Sequence, residues 1–156
     1  LASSDAERGV AAGGIPFAQK GIELTRSFRA LKVWMNLKAY GVSHFAKLIE
    51  QNIEQAQYLV GLIEKHPKLQ MMGVAPLNVA CFRYYDDGLS EQELNALNHE
   101  ILLRSQEGGK FVLSSTEIDG GFALRFCNTN HRTTLSYMDS IIAEIPRLAE
   151  EILSLK

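Results

Sequence analysis

An α+β fold is predicted for this chain: a small antiparallel sheet of about four strands with helices packed on one face, preceded by a helical arm. Three observations carry that expectation. Apolar residues recur at helical spacing in several separate stretches, β-favouring runs occur in pairs between them, and Gly, Pro and Asp punctuate the boundaries. With 156 residues, 46% of them hydrophobic, the chain is long enough to bury one core. Residues 1–24 are expected to be a flexible loop or linker, 25–65 a helical arm, and 66–156 a small α+β domain.

Taken in order, residues 1–20 carry Ser3, Ser4, Gly9, Gly13, Gly14 and Pro16 with little apolar periodicity, the composition of a loop. Residues 27–41 place Phe28, Leu31, Trp34, Met35 and Leu37 near helical spacing, with Arg29, Lys32, Asn36 and Lys38 between them. Trp34 and Phe28 are expected in a core. Gly41 should close this helix, and Ser43 is suited to cap the next. That second helix has an apolar face of Phe45, Leu48, Ile49, Ile53, Ala56, Leu59, Val60 and Ile63, and is stopped by His66-Pro67. Residues 69–85 are strand-like with a break at Pro76, which has no amide hydrogen for a sheet ladder.

Asp86-Asp87-Gly88 marks a turn. Ser90 and Glu93 form a capping box, in which the serine oxygen and the glutamate three residues on satisfy free amides of a helix start. The third helix buries Leu94, Leu97, Ile101 and Leu102, and Gly108-Gly109 ends it. Residues 111–118, the Asp119-Gly120-Gly121 turn and residues 122–128 make a hairpin. Along its second strand Phe122, Leu124 and Phe126 share one face, while Ala123, Arg125 and Cys127 share the other. A last helix, from about Thr129 or Asn130, is expected to bury Leu135, Met138, Ile141, Ile142, Ile145, Leu148 and Ile152. Pro146 inside that pattern predicts a kink or a fresh start.

Composition removes several classes of function. The formal charge is −2 and basic residues are scattered, so nucleic acid is not an expected partner. No apolar run reaches the roughly 18 residues of a membrane span, and LASSDAERGV has neither a basic nor an apolar leader segment, so a soluble, cytoplasmic protein is expected. Cys81 and Cys127 lie in apolar strand-like runs as reduced core thiols. His44, His66, His99 and His131 are far apart and in no metal-ligating pair, so no metal site is expected.

The run Arg26-Ser27-Phe28-Arg29-Ala30-Leu31-Lys32-Val33-Trp34, a helix ending at Gly41, Val79-Ala80-Cys81-Phe82-Arg83, and Ala123-Leu124-Arg125-Phe126-Cys127-Asn128 together resemble, in order, the C-terminal part of the group II pyridoxal-phosphate-dependent amino-acid decarboxylases. The likeness is to their aromatic-amino-acid branch and extends from about Leu24 to the end of the chain. It implies the small C-terminal domain of a type I pyridoxal-phosphate fold, in a homodimeric enzyme that removes the carboxylate of an amino-acid substrate as carbon dioxide. Pyridoxal 5'-phosphate is held in that family by a lysine that follows a histidine. No His-Lys pair occurs in this sequence, so the chain resembles a C-terminal fragment whose N-terminal portion carries that lysine. No catalytic residue is therefore assigned within the chain. Residues 1–20 would be the downstream end of a loop that closes over the active site.

Particular residues then acquire two readings. By periodicity Arg125 is a strand arginine able to salt-bridge a neighbouring helix; by resemblance it matches an arginine whose planar fork pairs with the substrate carboxylate. Thr25 and Arg26 can simply start a helix, with Thr25 as N-cap. The resemblance places this segment across the dimer interface, offering a backbone amide to the cofactor phosphate of the other subunit. Neither Lys32 nor Lys38 follows a histidine, and both are expected to be solvated or interfacial. A non-catalytic dimerisation or regulatory module derived from the same fold is the alternative, since the chain has an apolar core and no nucleophile, base or metal set of its own.

Overall fold

The computed structural model describes residues 27–155. Its elements are α1 (Arg29–Tyr40), α2 (Val42–Lys65), β1 (Leu69–Met71), β2 (Val79–Tyr84), α3 (Glu91–Glu107), β3 (Ser114–Ile118), β4 (Gly121–Cys127) and α4 (Leu135–Ser154). This is the α+β order read from the sequence. The chain forms two compact units, one ending at Val42 and one beginning at Ser43.

In the first unit α1 ends where Gly41, at φ +78°, donates its N–H to the Leu37 carbonyl. A positive φ is what glycine tolerates and other residues resist. None of the residues of α1 is buried; Trp34 within it is 59% exposed and Phe28 just before it 70%, so neither is the core residue that its apolar character predicts. Amphipathic spacing shows that a face favours cover without saying which part of a protein supplies it.

The second unit begins inside α2. Because that helix starts at Val42, Ser43 lies within it and does not cap it. Ala56, Leu59 and Ile63 of α2 are fully buried in the same core as the sheet, whereas Ile49 is exposed. The division at Val42 thus falls within the 25–65 span read as an arm, for the physical reason that α2 shares its apolar face with the sheet. His66-Pro67 ends the helix as expected.

The sheet has the order β1-β2-β4-β3 with every neighbouring pair antiparallel. The crossover through α3 lets the β3–β4 hairpin insert β4 beside β2. Its turn places Asp119 at φ 51° and Gly120 at φ 79°, the two successive positive values of a tight hairpin whose twist matches its strands. Alternation then separates two faces. Ala80, Phe82 and Tyr84 of β2, with Leu124 and Phe126 of β4, are buried on the face that packs with α2, α3 and α4, around Ile101, Met138, Ile141 and Ile145.

Two asparagines of α3 complete that packing. The β2–β4 ladder runs from Val79↔Cys127 to Phe82↔Leu124. Beyond it Asn98 Oδ1 accepts from the Tyr84 N–H (2.7 Å) and its Nδ2 donates to the Tyr84 carbonyl (2.9 Å), while Asn95 Oδ1 accepts from the Phe122 N–H (2.7 Å) and its Nδ2 donates to the Gly120 carbonyl (3.1 Å). Spaced three apart on one helix, the two amides take over the backbone bonds of diverging strands, which would be costly to leave unpaired. The Ser90–Glu93 capping box that starts α3 forms in full.

α4 starts at Leu135, about five residues later than expected, and Leu135 itself is 47% exposed. Asn130 holds the preceding segment in a turn: its Oδ1 accepts from Arg132 N–H (3.0 Å) and its carbonyl from Thr133 N–H (3.1 Å). The helix then runs through Pro146 as one element. Burial of Ile145, Leu148, Ala149 and Ile152 around the proline offsets the lost backbone bond.

Candidate functional site on the second face of the sheet

The opposite face of the sheet carries no helix of this unit and presents Cys81 and Arg83 from β2, Ala123, Arg125 and Cys127 from β4, and Ser114 from β3. Register places Arg125 between Cys81 on one side and Ser114 on the other. Ala123, two residues back along β4, is fully buried, whereas Cys127, two residues on, is exposed. Cys127 is therefore not the core thiol expected: it lies on the side of β4 that faces away from the helices, beyond the last core residue of that strand.

Arg125 is half-buried. Its Nη1 donates to Ser114 Oγ (3.4 Å), and Ser114 Oγ donates to the Arg125 carbonyl (3.3 Å). Among the described residues no carboxylate forms an ion pair with it, whereas Arg83 and Arg104 each have one and Arg147 has two. The salt bridge to a neighbouring helix that periodicity allows is absent there. The positive charge also reaches Cys81: burial pushes that thiol up, and the Arg125 guanidinium offsets part of the rise. A thiol held up in this way is a poor nucleophile.

Arg83 illustrates the compensated case. Only 9% of its side chain is exposed, Nε donates to Gln70 Oε1 (2.8 Å), Nη1 pairs with Glu91, and the guanidinium lies 5.4 Å from the centre of the Tyr85 ring. Gly121 lies close beside it: a Cβ there would approach Met72 Cε to 2.8 Å and Arg83 Nη1 to 3.3 Å, so the ends of those side chains would have to shift.

Three residues beyond Arg125, a buried amide cluster fixes the end of β4. Asn128 Nδ2 donates to Gln55 Oε1 (2.7 Å) and to the Asn52 carbonyl (3.2 Å), its N–H donates to the Asn78 carbonyl (2.9 Å), and Gln55 Nε2 donates to the Thr133 carbonyl (2.7 Å). The strand carrying Arg125 is thereby tied to α2, to the approach of β2 and to the entrance of α4. Sequence reasoning did not assign this cluster, Ser114 or Arg83. The available signal was Gln55, a polar residue within an otherwise apolar helical stripe. A cavity of about 430 Å³ opens at this end of β4, lined by Phe126, Cys127, Arg132 and Tyr137 among others; Arg125 does not line it.

Thr25 and Arg26, the residues expected near a cofactor phosphate, lie outside the described residues, as do residues 1–24, expected as a loop or linker. Lys68 does not present the desolvated amine of lowered pKa that a covalent cofactor linkage needs. Lys68 instead donates to Asp86 Oδ2 (2.5 Å), and that bond raises its pKa; Lys110 is largely exposed and pairs with Glu144. No group of His, Cys, Asp and Glu among the described residues could hold a metal ion, and no described helix is long and apolar enough to cross a membrane.

This architecture is that of the small domain of a fold-type seen in pyridoxal-phosphate enzymes. "Oryza sativa TDC with PLP and tryptamine" superimposes with a TM-score of 0.77 at 23% identity, over 84% of this chain and 28% of that one. The glutamate decarboxylase domain of a diaminobutyrate-pyruvate transaminase and L-2,4-diaminobutyrate decarboxylase from Vibrio parahaemolyticus gives a TM-score of 0.73 at 27% identity, over 81% and 27%. In sequence, an aromatic-L-amino-acid decarboxylase of Bacillus atrophaeus is 35% identical over 141 residues, 90% of this chain and 29% of that protein. The family model described as the pyridoxal-dependent decarboxylase conserved domain matches residues 8–85. The chain belongs to the pyridoxal-dependent decarboxylase family, and it spans less than a third of the relatives it matches.

Proposed function

We propose that this chain is the C-terminal part of a pyridoxal-phosphate-dependent L-amino-acid carboxy-lyase, which releases carbon dioxide and an amine from an aromatic amino acid, and that Arg125 binds the substrate carboxylate. The observation that carries the reading is the half-buried residue Arg125, its guanidinium unpaired with any described carboxylate, on the sheet face that no helix of its unit covers. A guanidinium offers a planar pair of donors that matches a carboxylate in bidentate fashion. Family membership supports the chemistry. Support for aromatic substrates comes from relatives named as aromatic-L-amino-acid, tyrosine and tryptophan decarboxylases.

The remaining assignments follow the same reading. The pyridoxal phosphate is held covalently by a lysine in a portion of the protein outside this chain. Thr25 and Arg26 serve the cofactor phosphate across a homodimer interface, and residues 1–24 form a loop at the active site. The exposed apolar residues Phe28, just before α1, and Val33, Trp34 and Met35 within it support residues 25–65 as a helical arm that joins a larger domain and is covered by it or by the second subunit. The protein works in the cytoplasm on a small-molecule amino acid, with neither nucleic acid nor membrane as partner.

The deciding measurement is carbon dioxide release by the full-length protein from tyrosine, dihydroxyphenylalanine, tryptophan, histidine and glutamate. Preference for one of the first three is expected. Activity confined to glutamate would overturn the substrate class, and no release from any of them would overturn the carboxy-lyase.

A further inference from the structure

We infer that Ser114 is a positioning residue for Arg125, holding the guanidinium so that one complete two-donor edge is left for a carboxylate; this rests on the proposed role of Arg125. A guanidinium has five N–H donors, and a carboxylate is gripped in bidentate fashion by two donors on one edge. The one described side-chain partner of Arg125 is Ser114, and the donor engaged is Nη1. The edge formed by Nε and Nη2 has no partner among the described residues. A single hydroxyl thus anchors the group by the nitrogen that a fork along that edge does not need.

The anchoring atom is itself fixed. Ser114 stands directly across the β3–β4 ladder from Arg125, and its hydroxyl donates to the Arg125 carbonyl (3.3 Å), which orients a lone pair toward Nη1 (3.4 Å). On the other side the cross-strand neighbour is Cys81, whose sulfur is a weak acceptor. The two flanks are therefore unequal, and the side chain is drawn toward β3. Ala123 presents only a methyl group on this face and does not compete for the guanidinium.

The test uses the full-length holoenzyme and its best substrate. Ser114→Ala should lower kcat/KM about fivefold, mainly through KM, because a hydrogen bond to a charged group is lost while the charge remains. Inhibition by the amine product, which has no carboxylate, should be unchanged. Ser114→Thr keeps the hydroxyl and should stay within about twofold of the parent. In an Arg125→Lys background, Ser114→Ala should add less than about twofold, since the fork it positions is gone. Equal losses in both backgrounds, a loss shared by the amine product, or no loss at all beside a damaged Arg125→Lys enzyme would overturn the role of Ser114 alone. A normal Arg125→Lys enzyme would overturn the carboxylate reading itself and this inference with it.

Discussion

The two faces of the sheet treat their side chains in opposite ways. On one, Phe82, Tyr84, Leu124 and Phe126 are covered by three helices, and the fully buried Asn98 among them is hydrogen-bonded through both its amide oxygen and its amide nitrogen. On the other, Arg83 is neutralised by Glu91 but Arg125 is left with one hydroxyl. Burial on the first face stabilises the fold. A half-buried arginine with no carboxylate partner among the described residues does not, and it leaves donors open to the anionic ligand proposed for it. If Arg125 serves as proposed, the difference is one of function as well as of environment, and substitutions on the two faces should separate stability from activity.

The largest effect is expected on the helix-covered face. Phe82 is fully buried at the centre of the core, and Phe82→Ala removes its contacts and leaves a cavity, costing about 3 to 5 kcal/mol. Denaturant titration should show the midpoint falling with activity lost only as the protein unfolds. A variant of unchanged stability would mean that this face is not the core of the folded enzyme.

Next comes Arg125→Lys in the full-length protein, which keeps the charge and removes the fork. Catalytic efficiency should fall at least about thirtyfold, about 2 kcal/mol, with the melting temperature almost unchanged. Normal turnover, or unfolding in place of lost turnover, would make Arg125 a structural residue and erase the contrast between the faces.

Asn98→Leu gives a smaller effect and sharpens the comparison. The substitution is close in size, yet it strips the partners from both the N–H and the carbonyl of Tyr84, and should destabilise by about 1 to 3 kcal/mol. Hydrogen exchange at Tyr84 should accelerate. Unaltered exchange there would show that the helix amide does not replace the sheet ladder.

Much of this organisation was legible in the sequence because periodicity and turn chemistry act locally. The alternation in β4 separated Leu124 from Arg125, Asp119-Gly120 fixed the hairpin, and Ser90 with Glu93 marked the start of α3. What was illegible depends on contacts between distant segments. Asn98 looked like a polar residue beside an apolar stripe, and only the divergence of β2 from β4 makes it part of the core. Ser114 became relevant only once register set it across from Arg125. Trp34 and Leu135 failed for a related reason, since an apolar residue specifies a wish for cover and not its source. The compensation of Arg83 and the lack of it at Arg125 are likewise invisible in a strand pattern that places both on one face.

The smallest expected effect tests whether charge on the helical layer is compensated, as the comparison requires. Glu144 of α4 has only 14% of its side chain exposed and receives Arg147 Nε (3.0 Å), Arg147 Nη2 (2.5 Å) and Lys110 Nζ (3.1 Å). The Arg147 guanidinium, ahead of Lys110, holds its carboxyl down to about 2 from an ordinary 4.5. A carboxyl whose pKa is lower folded than unfolded binds fewer protons in the native state, so its contribution is complete above about 4.5 and disappears as the pH falls from there toward 2. Ion pairs this close to the surface are worth roughly 1 kcal/mol or less, so the stability difference between the parent and Glu144→Gln should be of that order at pH 7 and should close between pH 4.5 and 2. Arg125→Gln removes a charge that has no carboxylate partner among the described residues and should show no such acid-dependent convergence with the parent. Urea titrations of both variants at pH 7, 4 and 3 would check this, and parallel pH dependence in the two would mean that Arg125 is compensated after all.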